Sequence, residues 1–411
     1  MNLTKTDRLK RDYERAVALT QKLVQIPSVY RPEDPEGNEE KVANFTANYL
    51  RDLGIDVYVE EVEPGRPNVI GVIDSGKPGK TLIFEGHTDV VTEGDRGSWK
   101  YDPFGAEIVD GRMYGRGTND TKGNLACMIT ATQSILEDKA EFNGKILLCI
   151  PVDEERMMIG IKHFIEQGWA DDVDGAIICE PEENQICVAQ RGALRIRITV
   201  NGKMAHGAIS WSGINPNWRL AKIITALEAL EKEEQKTHGE HPYLKWPSIT
   251  PTIVKAPVTG DAQINVIPEK AMTTLDIRTI PSQDHDVLIE KIENIFKNLK
   301  EEDKDFDVQY EVIENRPATE TDQTEPVVGA VHEAVKKTLN KEPEYNGVPG
   351  ATDGTFLHIH GVPIVTIGAG DREVPHHINE YVDIRELGET TEIYRQAALN
   401  FLNEEGNNNG R

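Results

Sequence analysis

Residues 83–89 read IFEGHTD and residues 145–155 read KILLCIPVDEE, and in each stretch an apolar run ends in charged side chains. Further apolar runs of strand length are NVIGVID (68–74), GAIICEP (175–181) and VPIVTIGAG (362–370). Helical patterns separate several of these runs, most clearly TKGNLACMITATQSILED (121–138). Continuous apolar runs that alternate with helices are typical of a parallel sheet covered by helices. We therefore predict an α/β domain with a mostly parallel sheet and helices on both faces.

A different pattern occupies residues 190–317. RIRITVNGK alternates apolar and polar residues, and further strand-like stretches are SITPTIVKAP, AMTTLDIRTI and DVQYEVIE. Two long helical patterns, WRLAKIITALEALEKEEQ and DVLIEKIENIFKNLKEE, lie among them. These elements predict an antiparallel sheet with two helices on one face. Because the first pattern resumes afterwards, we predict an inserted α+β domain at 190–317 that divides the α/β domain into 1–189 and 318–411.

Composition narrows the class of protein. The chain has 411 residues, which favours two domains, and its formal net charge is −25. That charge argues against a nucleic-acid partner and against binding to an anionic membrane, since both need clustered Lys and Arg. We expect no signal peptide, because the N-terminal residues lack an apolar core of that length, and no membrane span, because no run of about 18 apolar residues occurs. Four cysteines without a C-x-x-C pair suggest buried thiols in a cytoplasmic protein.

Acidic and histidine side chains follow the predicted strands. Ligands of an open α/β sheet bind beyond the carboxyl ends of its strands, so side chains at those ends meet at one edge. A lone acid at a strand end is usually only solvated, and two adjacent glutamates can simply open a helix, so the inference depends on their joint occurrence. The residues concerned are His87, Asp89, Asp120, Glu154, Glu155, Glu180 and either His376 or His377.

Mixed histidine and carboxylate side chains suit zinc or a similar divalent metal. One aspartate can bridge two metals about 3.5–4 Å apart, holding one cation with each oxygen. Of two adjacent glutamates, one can bind metal while the other acts as a general base. Asp89, two residues from His87, is placed to hydrogen-bond its other ring nitrogen. The pattern thus predicts a dinuclear metal site.

At these residues the sequence resembles the dinuclear zinc amidohydrolase and exopeptidase family, which includes acetylornithine deacetylase, succinyl-diaminopimelate desuccinylase, aminoacylase-1 and carboxypeptidase G. Nine blocks match in the family's order over residues 86–382, which is most of the chain. They are GHTDVV, the pair formed by Trp99 and Pro103-Phe104, DGRMYGRGTNDTKG, PVDEE, ICEPE, GKMAHG, INVIPE, GATDG and HHINEYV.

The resemblance implies two divalent cations per chain. Zinc is the expected metal, and cobalt or manganese are the alternatives. Asp120 would bridge them, and the family pattern H-x-x-N-E selects His376 over His377 as a ligand. Family members also have a cis peptide after the bridging aspartate, here Asp120–Thr121. The implied metal ligands are His87 and Glu180 for one cation, Glu155 and His376 for the other, and Asp120 for both.

The resemblance implies further roles outside the metal ligands. Glu154 would be the general base and acid, and Asp89 would orient His87. The inserted segment matches the family's lid, which is commonly also its dimerisation domain, so a homodimer through the lid is expected. His206 in GKMAHG would stabilise the oxyanion. The implied substrate contacts, in which an arginine fork suits a carboxylate, are Arg191, Asn265, Arg278, Gly350 and Thr352.

The implied activity is hydrolysis of the amide of a small N-acyl amino acid, as in acetylornithine deacetylase or the desuccinylase. A metal-bridging hydroxide would attack the amide carbon. A glutamate at the Glu180 position accompanies mostly deacylases and carboxypeptidases. The sequence departs from the residues common in the family at Thr92, Thr121 and Gln190-Arg191. None of these is an implied metal ligand, but the departures weaken any inference about the exact substrate. The alternatives are a carboxypeptidase or dipeptidase, a deformylase or carbamoyl hydrolase of a small amine, and an inactive scaffold, which the intact Glu154 opposes.

Overall fold

A computed structural model describes residues 4–404, which form two compact units. The first unit contains the described residues up to Val188, Thr321–Asn346 and the described residues from Thr352 onward. The second unit contains Ala189–Glu320 and Gly347–Ala351. The short segment 347–351, which the sequence pattern placed with the α/β domain, groups with the second unit.

Helices and strands alternate along much of the chain. The helices are α1 (Lys5–Val24), α2 (Glu40–Asp52), α3 (Lys122–Glu137), α4 (Ile159–Glu166), α5 (Pro216–His238), α6 (His285–Glu302), α7 (Pro326–Leu339), α8 (Gly354–Ile359) and α9 (Ile384–Asn403). The strands are β1 (Asp56–Glu63), β2 (Arg66–Asp74), β3 (Thr81–Glu85), β4 (Glu107–Val109), β5 (Arg112–Tyr114), β6 (Lys145–Ile150), β7 (Gly175–Ile178), β8 (Ile186–Gln190), β9 (Gly192–Asn201), β10 (Ala205–His206), β11 (Ser248–Lys255), β12 (Val266–Ile267), β13 (Lys270–Thr279), β14 (Asp307–Arg316), β15 (Thr319–Glu320), β16 (Tyr345–Val348), β17 (Ile364–Thr366) and β18 (Tyr381–Asp383).

The main sheet has the strand order β1-β2-β6-β3-β7-β17-β8-β15, and β16 pairs with β8. Its centre, β6-β3-β7-β17, is parallel, whereas β1 and β2 pair antiparallel at one end. These two strands are joined by a tight turn at Pro64 and Gly65, where Gly65 adopts a φ of 75° that favours glycine. The run in β2 is almost entirely buried and gives no indication of strand direction, so its antiparallel pairing is not evident from the sequence.

Helices cover both faces of the main sheet. Phe84 of β3 contacts Tyr394 of α9, and α1, α3 and α9 pack on one another. The preceding residue, Ile83, packs on the opposite face with Phe164 of α4 and Leu357 of α8. Neighbouring residues of a strand point to opposite faces, so one short strand links both layers of the apolar core.

The second unit contains a four-stranded antiparallel sheet of order β11-β13-β9-β14. Helices α5 and α6 pack on it, and the two predicted helical patterns fall within their bounds. Leu194, Ile196 and Ile198 of β9 are fully buried in the apolar cluster, and Arg195 and Arg197 alternate with them. The pair β10-β12 forms a separate small sheet.

The predicted fold class is confirmed by these two units. A mostly parallel sheet with helices on both faces forms the first, and an antiparallel sheet with two helices forms the second. Within residues 4–404, no helix has the length and apolar character that a membrane crossing requires.

Candidate metal centre

The predicted metal ligands and the predicted general base gather at one edge of the first unit. Strands β6, β3 and β7 are parallel neighbours, so the loops at their carboxyl ends lie side by side. The loops that precede α3 and β18 reach the same place. Together these loops carry His87, Asp120, Glu154, Glu155, Glu180 and His376.

Asp120 lies between the two histidines. Its Oδ1 is 3.3 Å from Nε2 of His87, and its Oδ2 is 3.3 Å from Nε2 of His376. The peptide bond that follows, Asp120–Thr121, is cis, as the resemblance implied. Each carboxylate oxygen therefore faces a different imidazole, which is the arrangement that a bridging ligand needs.

The glutamates divide between the two histidines. Glu180 Oε1 is 3.5 Å from Nε2 of His87, and Glu155 Oε2 is 2.9 Å from Nε2 of His376. Oε2 of Glu154 is 3.8 Å from Nε2 of His87, near the centre but farther than Glu180. Each imidazole thus has Asp120 and one further glutamate beside it, with Glu154 additional.

The donor atoms fit divalent cations. The carbonyl oxygen of Asp89 lies 3.0 Å from Nδ1 of His87 and can only accept, so Nδ1 carries the proton and Nε2 presents a lone pair. That nitrogen and Oε1 of Glu180 are both buried, and neither has a hydrogen-bond partner within residues 4–404. One atom each from His87, Asp120 and Glu155 also lies within 4.8 Å of the other two. A cation would satisfy these facing acceptors, with histidine and carboxylate ligands of the kind zinc prefers.

The pKa values at the centre reflect an excess of buried carboxylates. Burial raises the pKa of Glu154 and of Glu180 well above the usual range, and it raises the pKa of Glu155 to about 6. Contacts with Asp120 and Glu155 raise the pKa of His376 to about 10. The three glutamates therefore bind protons more readily than free carboxylates do, because buried negative charges need a compensating positive charge, which a divalent cation can also supply.

Asp89 connects two loops of the centre. Its Oδ1 and Oδ2 accept the backbone N–H groups of Glu154 and Glu155, each at 3.1 Å. Its carboxylate is 3.5 Å from Nδ1 of His87, so the shorter 3.0 Å contact to that ring comes from the backbone carbonyl of Asp89. Asp89 therefore holds the Glu154-Glu155 backbone as well as lying beside His87.

A buried ion cluster holds the other side of the Glu154-Glu155 loop. Nη2 of Arg66 lies 2.6 Å from Oε1 of Glu39 and 2.5 Å from Oδ1 of Asp153. All three side chains are almost fully buried, and Asp153 Oδ2 also accepts the N–H of Met157. The sequence prediction did not include this cluster, because its members are separated by as many as 114 positions and form no motif.

Arg116 and Glu380 are a second set of supporting residues that the sequence prediction missed. Glu380 is fully buried and accepts hydrogen bonds from the loop that ends at Asp120. It belongs to the H-x-x-N-E pattern that selected His376, so a signal was present in the sequence. Its role as an acceptor could be read only from the three-dimensional contacts.

His206 belongs to the second unit, where it ends β10. Its Nδ1 accepts the backbone N–H of Ala208 at 3.0 Å, and its side chain is exposed. An Nδ1 that accepts leaves Nε2 as the protonated nitrogen of a neutral imidazole. His206 therefore presents an N–H donor to solvent, as a residue that stabilises an oxyanion must.

The two predicted arginines of the second unit already have protein partners. Arg191 donates to the carbonyl oxygens of Leu244 and Trp246 through Nε and Nη2, and Nε of Arg278 lies 2.9 Å from Oδ1 of Asp276. Burial lowers the pKa of Arg191, and the nearby Arg278 lowers it further. The two guanidinium groups are thus close enough for their charges to interact.

The remaining predicted contacts lie in loops. Asn265 is exposed and its carbonyl oxygen accepts the N–H of Gly207. Gly350 belongs to the second unit with open space around it, whereas Thr352 belongs to the first unit and caps the N–H of Gly354. Substrate binding by these residues stays a prediction.

Comparison with known proteins agrees with the predicted family. A sequence model described as Peptidase family M20/M25/M40 matches residues 83–400. A protein of Staphylococcus aureus strain MRSA252 named probable succinyl-diaminopimelate desuccinylase is 25% identical over 405 residues, covering 93% of this chain and 98% of its own length.

Solved structures share the fold at lower identity. A metallo-carboxypeptidase of the M20 family from Sulfolobus solfataricus has a TM-score of 0.78 at 22% identity, and covers 94% of this chain and 99% of its own. A Bacillus subtilis protein described as a dinuclear metal-binding peptidase of that family has a TM-score of 0.72 at 18% identity, with coverage of 96% and 99%. These similarities concern the fold, and they span nearly the whole chain.

Proposed function

The chain belongs to Peptidase family M20/M25/M40 and is a metallohydrolase, and we propose that it hydrolyses the amide bond of a small N-acyl amino acid. The observation that carries this proposal is the position of Asp120, which presents one oxygen to His87 and the other to His376. Such a ligand suits a pair of cations, and Glu154 lies beside it as an additional carboxylate.

We assign two cation sites. His87, Asp120 and Glu180 would hold one cation, in the first cation site, and Asp120, Glu155 and His376 would hold the other, in the second cation site. Zinc fits this donor set, with cobalt and manganese as the alternatives. Bound at these sites, divalent cations would make a water acidic near neutral pH and polarise the amide carbonyl.

Glu154 is the proton carrier in the proposed reaction. A water adds to the amide carbon and loses a proton to Glu154, which then protonates the departing amine as the C–N bond breaks. Oε2 of Glu154 lies 3.8 Å from Nε2 of His87, so this carboxyl group is close enough to the proposed cation sites to carry the proton between the two transfers. The backbone bonds from Glu154 and Glu155 to Asp89 hold it in place.

His206 is the proposed oxyanion donor. Its Nε2–H can bond to the oxygen that becomes negative when water adds to the carbonyl carbon. The family resemblance implies that this histidine can come from a partner subunit, and we expect this here because the lid is the proposed dimerisation domain.

Support for the substrate class comes from charge and from the residue at position 180. The guanidinium groups of Arg191 and Arg278 are close enough to interact and suit a substrate carboxylate, and the resemblance associates a glutamate at position 180 mostly with deacylases and carboxypeptidases. The S. aureus relative is named for removal of a succinyl group. A carboxypeptidase or dipeptidase activity is the second candidate, because a peptide presents the same free carboxylate to these arginines.

Amide hydrolysis by zinc-loaded protein tests the proposal. The panel contains N-acetyl, N-succinyl, N-formyl and N-carbamoyl amino acids, dipeptides, and acylated amines without a carboxylate. We expect turnover of one carboxylate-bearing class and a loss of about 10²–10⁴-fold in kcat for Glu154→Gln, the usual size of general acid–base catalysis. Turnover only of amines without a carboxylate would refute the substrate class. If the protein binds two metal ions but turns over no compound, every substrate class in the panel is refuted. If the protein binds no metal, an inactive scaffold is favoured.

A further inference from the structure

Glu380 and Arg116 form a buried pair between two loops of the metal centre. Nη1 of Arg116 lies 2.5 Å from Oε2 of Glu380, and the two side chains are 3% exposed or less. Neither residue faces the ring nitrogens of the histidines or acts as a ligand in either cation site. The pair connects loops that are distant in sequence but carry ligands of the same cation.

Glu380 holds the backbone that leads to the bridging aspartate. Its Oε1 accepts three backbone N–H groups, those of Gly117 at 2.9 Å, Asn119 at 3.0 Å and Asp120 at 3.1 Å. Three donors on one buried oxygen leave the loop little freedom, because each alternative position would leave a buried N–H without an acceptor. The position of Asp120 therefore depends directly on this carboxylate.

Arg116 holds the backbone of the other loop. Its Nη2 donates to the carbonyl oxygen of His376 at 3.3 Å and to that of Thr92 at 3.2 Å. Its Nη1 bonds at the same time to Glu380. One planar guanidinium thus connects the loop of His376 to the acceptor that holds the loop of Asp120.

We propose that Glu380, together with Arg116, is a positioning residue for the second cation site. The pair sets the separation of Asp120 and His376, which supply two of that site's three ligands. In the first cation site only Asp120 depends on the pair, because His87 and Glu180 follow strands of the main sheet. Loss of the pair should therefore weaken the second site more than the first. This inference rests on the proposed dinuclear function.

The substitution Glu380→Gln removes one acceptor while keeping the size of the side chain. A glutamine oxygen can accept the three N–H groups, but its amide nitrogen would then face the guanidinium of Arg116, and two donors repel. If the amide turns the other way, the three N–H groups lose their acceptor. In either orientation the side chain loses one set of contacts, either the bond to Arg116 or the bonds from the three N–H groups.

The matched control is Glu392→Gln. Glu392 is buried and forms a two-pronged pair with Arg8, at 2.7 and 2.9 Å, between α9 and α1 and apart from the loops that carry the ligands. Its substitution also removes a buried carboxylate from an arginine, so it reproduces the general loss of stability. It should not change cation affinity.

Zinc affinity of the two sites, measured by competition with a chelator, tests the inference. We expect wild-type protein and Glu392→Gln to bind two zinc ions, and Glu380→Gln to bind the second ion about 10–100-fold more weakly with a smaller change for the first. Equal changes at both sites, or the same affinities as in Glu392→Gln, would overturn the positioning role. A wild-type protein that binds fewer than two ions would instead refute the proposed function.

Arg116→Lys provides a second variant if Glu380→Gln does not fold. Lysine keeps the charge beside Glu380 but lacks the planar fork that reaches Thr92 and His376. We expect weaker binding of the second ion with the Asp120 loop still held by Glu380. Unchanged zinc affinities in Arg116→Lys would overturn the inference.

Discussion

At the scale of single residues, Asp89 shows how a side chain outside the proposed ligand set can hold a candidate metal centre in place. Its two carboxylate oxygens accept the N–H groups of Glu154 and Glu155, and its carbonyl accepts from His87. Those three residues are the proposed base and one ligand of each cation site. The chemistry of the centre therefore depends on a side chain that the proposal assigns neither to a metal nor to the substrate.

Asp89→Asn should reduce cation affinity or activity by about 10–100-fold, the usual cost of losing an outer support of a metal site. The asparagine oxygen can accept one of the two N–H groups, but its amide nitrogen would face the other, so the Glu154-Glu155 backbone must shift. The measurement is zinc affinity together with kcat. Asp383→Asn is the control, because Asp383 also accepts a backbone N–H, that of Arg385, at the start of α9. Equal effects of the two substitutions would contradict the prediction.

At the scale of elements, close packing of α4 against the end of β6 determines the position of the loop that carries Glu154 and Glu155. Gly160, in the first turn of α4, lies against Val152, the residue before Asp153. A Cβ at Gly160 would meet the Val152 carbonyl oxygen, would lie 2.6 Å from its nitrogen, and would be 2.7 Å from Oδ1 of Asn68. The strand end and the helix thus approach as closely as glycine allows.

Gly160→Ala should destabilise the protein by about 1–3 kcal/mol, the cost of overpacking a well-packed site, and should weaken zinc binding by displacing the loop after Val152. Urea unfolding and zinc affinity are the measurements. Gly329→Ala is the control, because Gly329 lies within α7 with no atom near its added Cβ. That substitution should be neutral or stabilise the helix by up to about 1 kcal/mol. A Gly160→Ala protein as stable as the control would contradict the close-packing argument.

At the scale of the whole molecule, cation binding should contribute to the stability of the fold. Four carboxylates and two histidines gather at one edge, and burial raises the pKa of three of those carboxylates. Cations that bind the folded chain shift unfolding by mass action, by about 2.7 kcal/mol at a free concentration 100-fold above Kd. Removal of metal with a chelator should therefore lower Tm, and added zinc should restore it in a concentration-dependent way. The same zinc titration should leave Asp120→Asn nearly unchanged; a wild-type Tm insensitive to zinc would argue against the metal centre.

The association of chains is the second property at this scale. Met204, Ile209 and Trp211 of the second unit are 61%, 45% and 82% exposed, in the same segment as His206. We expect a second copy to cover such side chains in a homodimer formed through the lid. Light scattering should then give twice the chain mass, and Trp211→Ser should weaken association more than Ile359→Ser, which alters an exposed side chain of α8. A wild-type monomer with full activity would contradict this prediction.

The sequence by itself determined the fold class and the choice of candidate ligands. Apolar runs and helical periods are local properties, and residue types at strand ends are visible one by one, so IFEGHTD and KILLCIPVDEE could be interpreted without coordinates. The confirmed family follows from the same motifs. The predicted roles of the ligands, of Glu154 and of the lid residues await the measurements above.

Only the tertiary structure decided which atoms face each other. The direction of β2, the bonds from the backbone of Glu154 and Glu155 to Asp89, and the pairing of Arg116 with Glu380 have no periodic or local signature, although Glu380 itself belongs to the H-x-x-N-E pattern. They depend on contacts between segments as many as 264 positions apart. A buried donor needs an acceptor, and the packing of the chain determines which distant loop supplies it. Sequence patterns therefore indicate which residues are available as ligands or as a base, whereas the packing of the folded chain determines which other residues hold them in place.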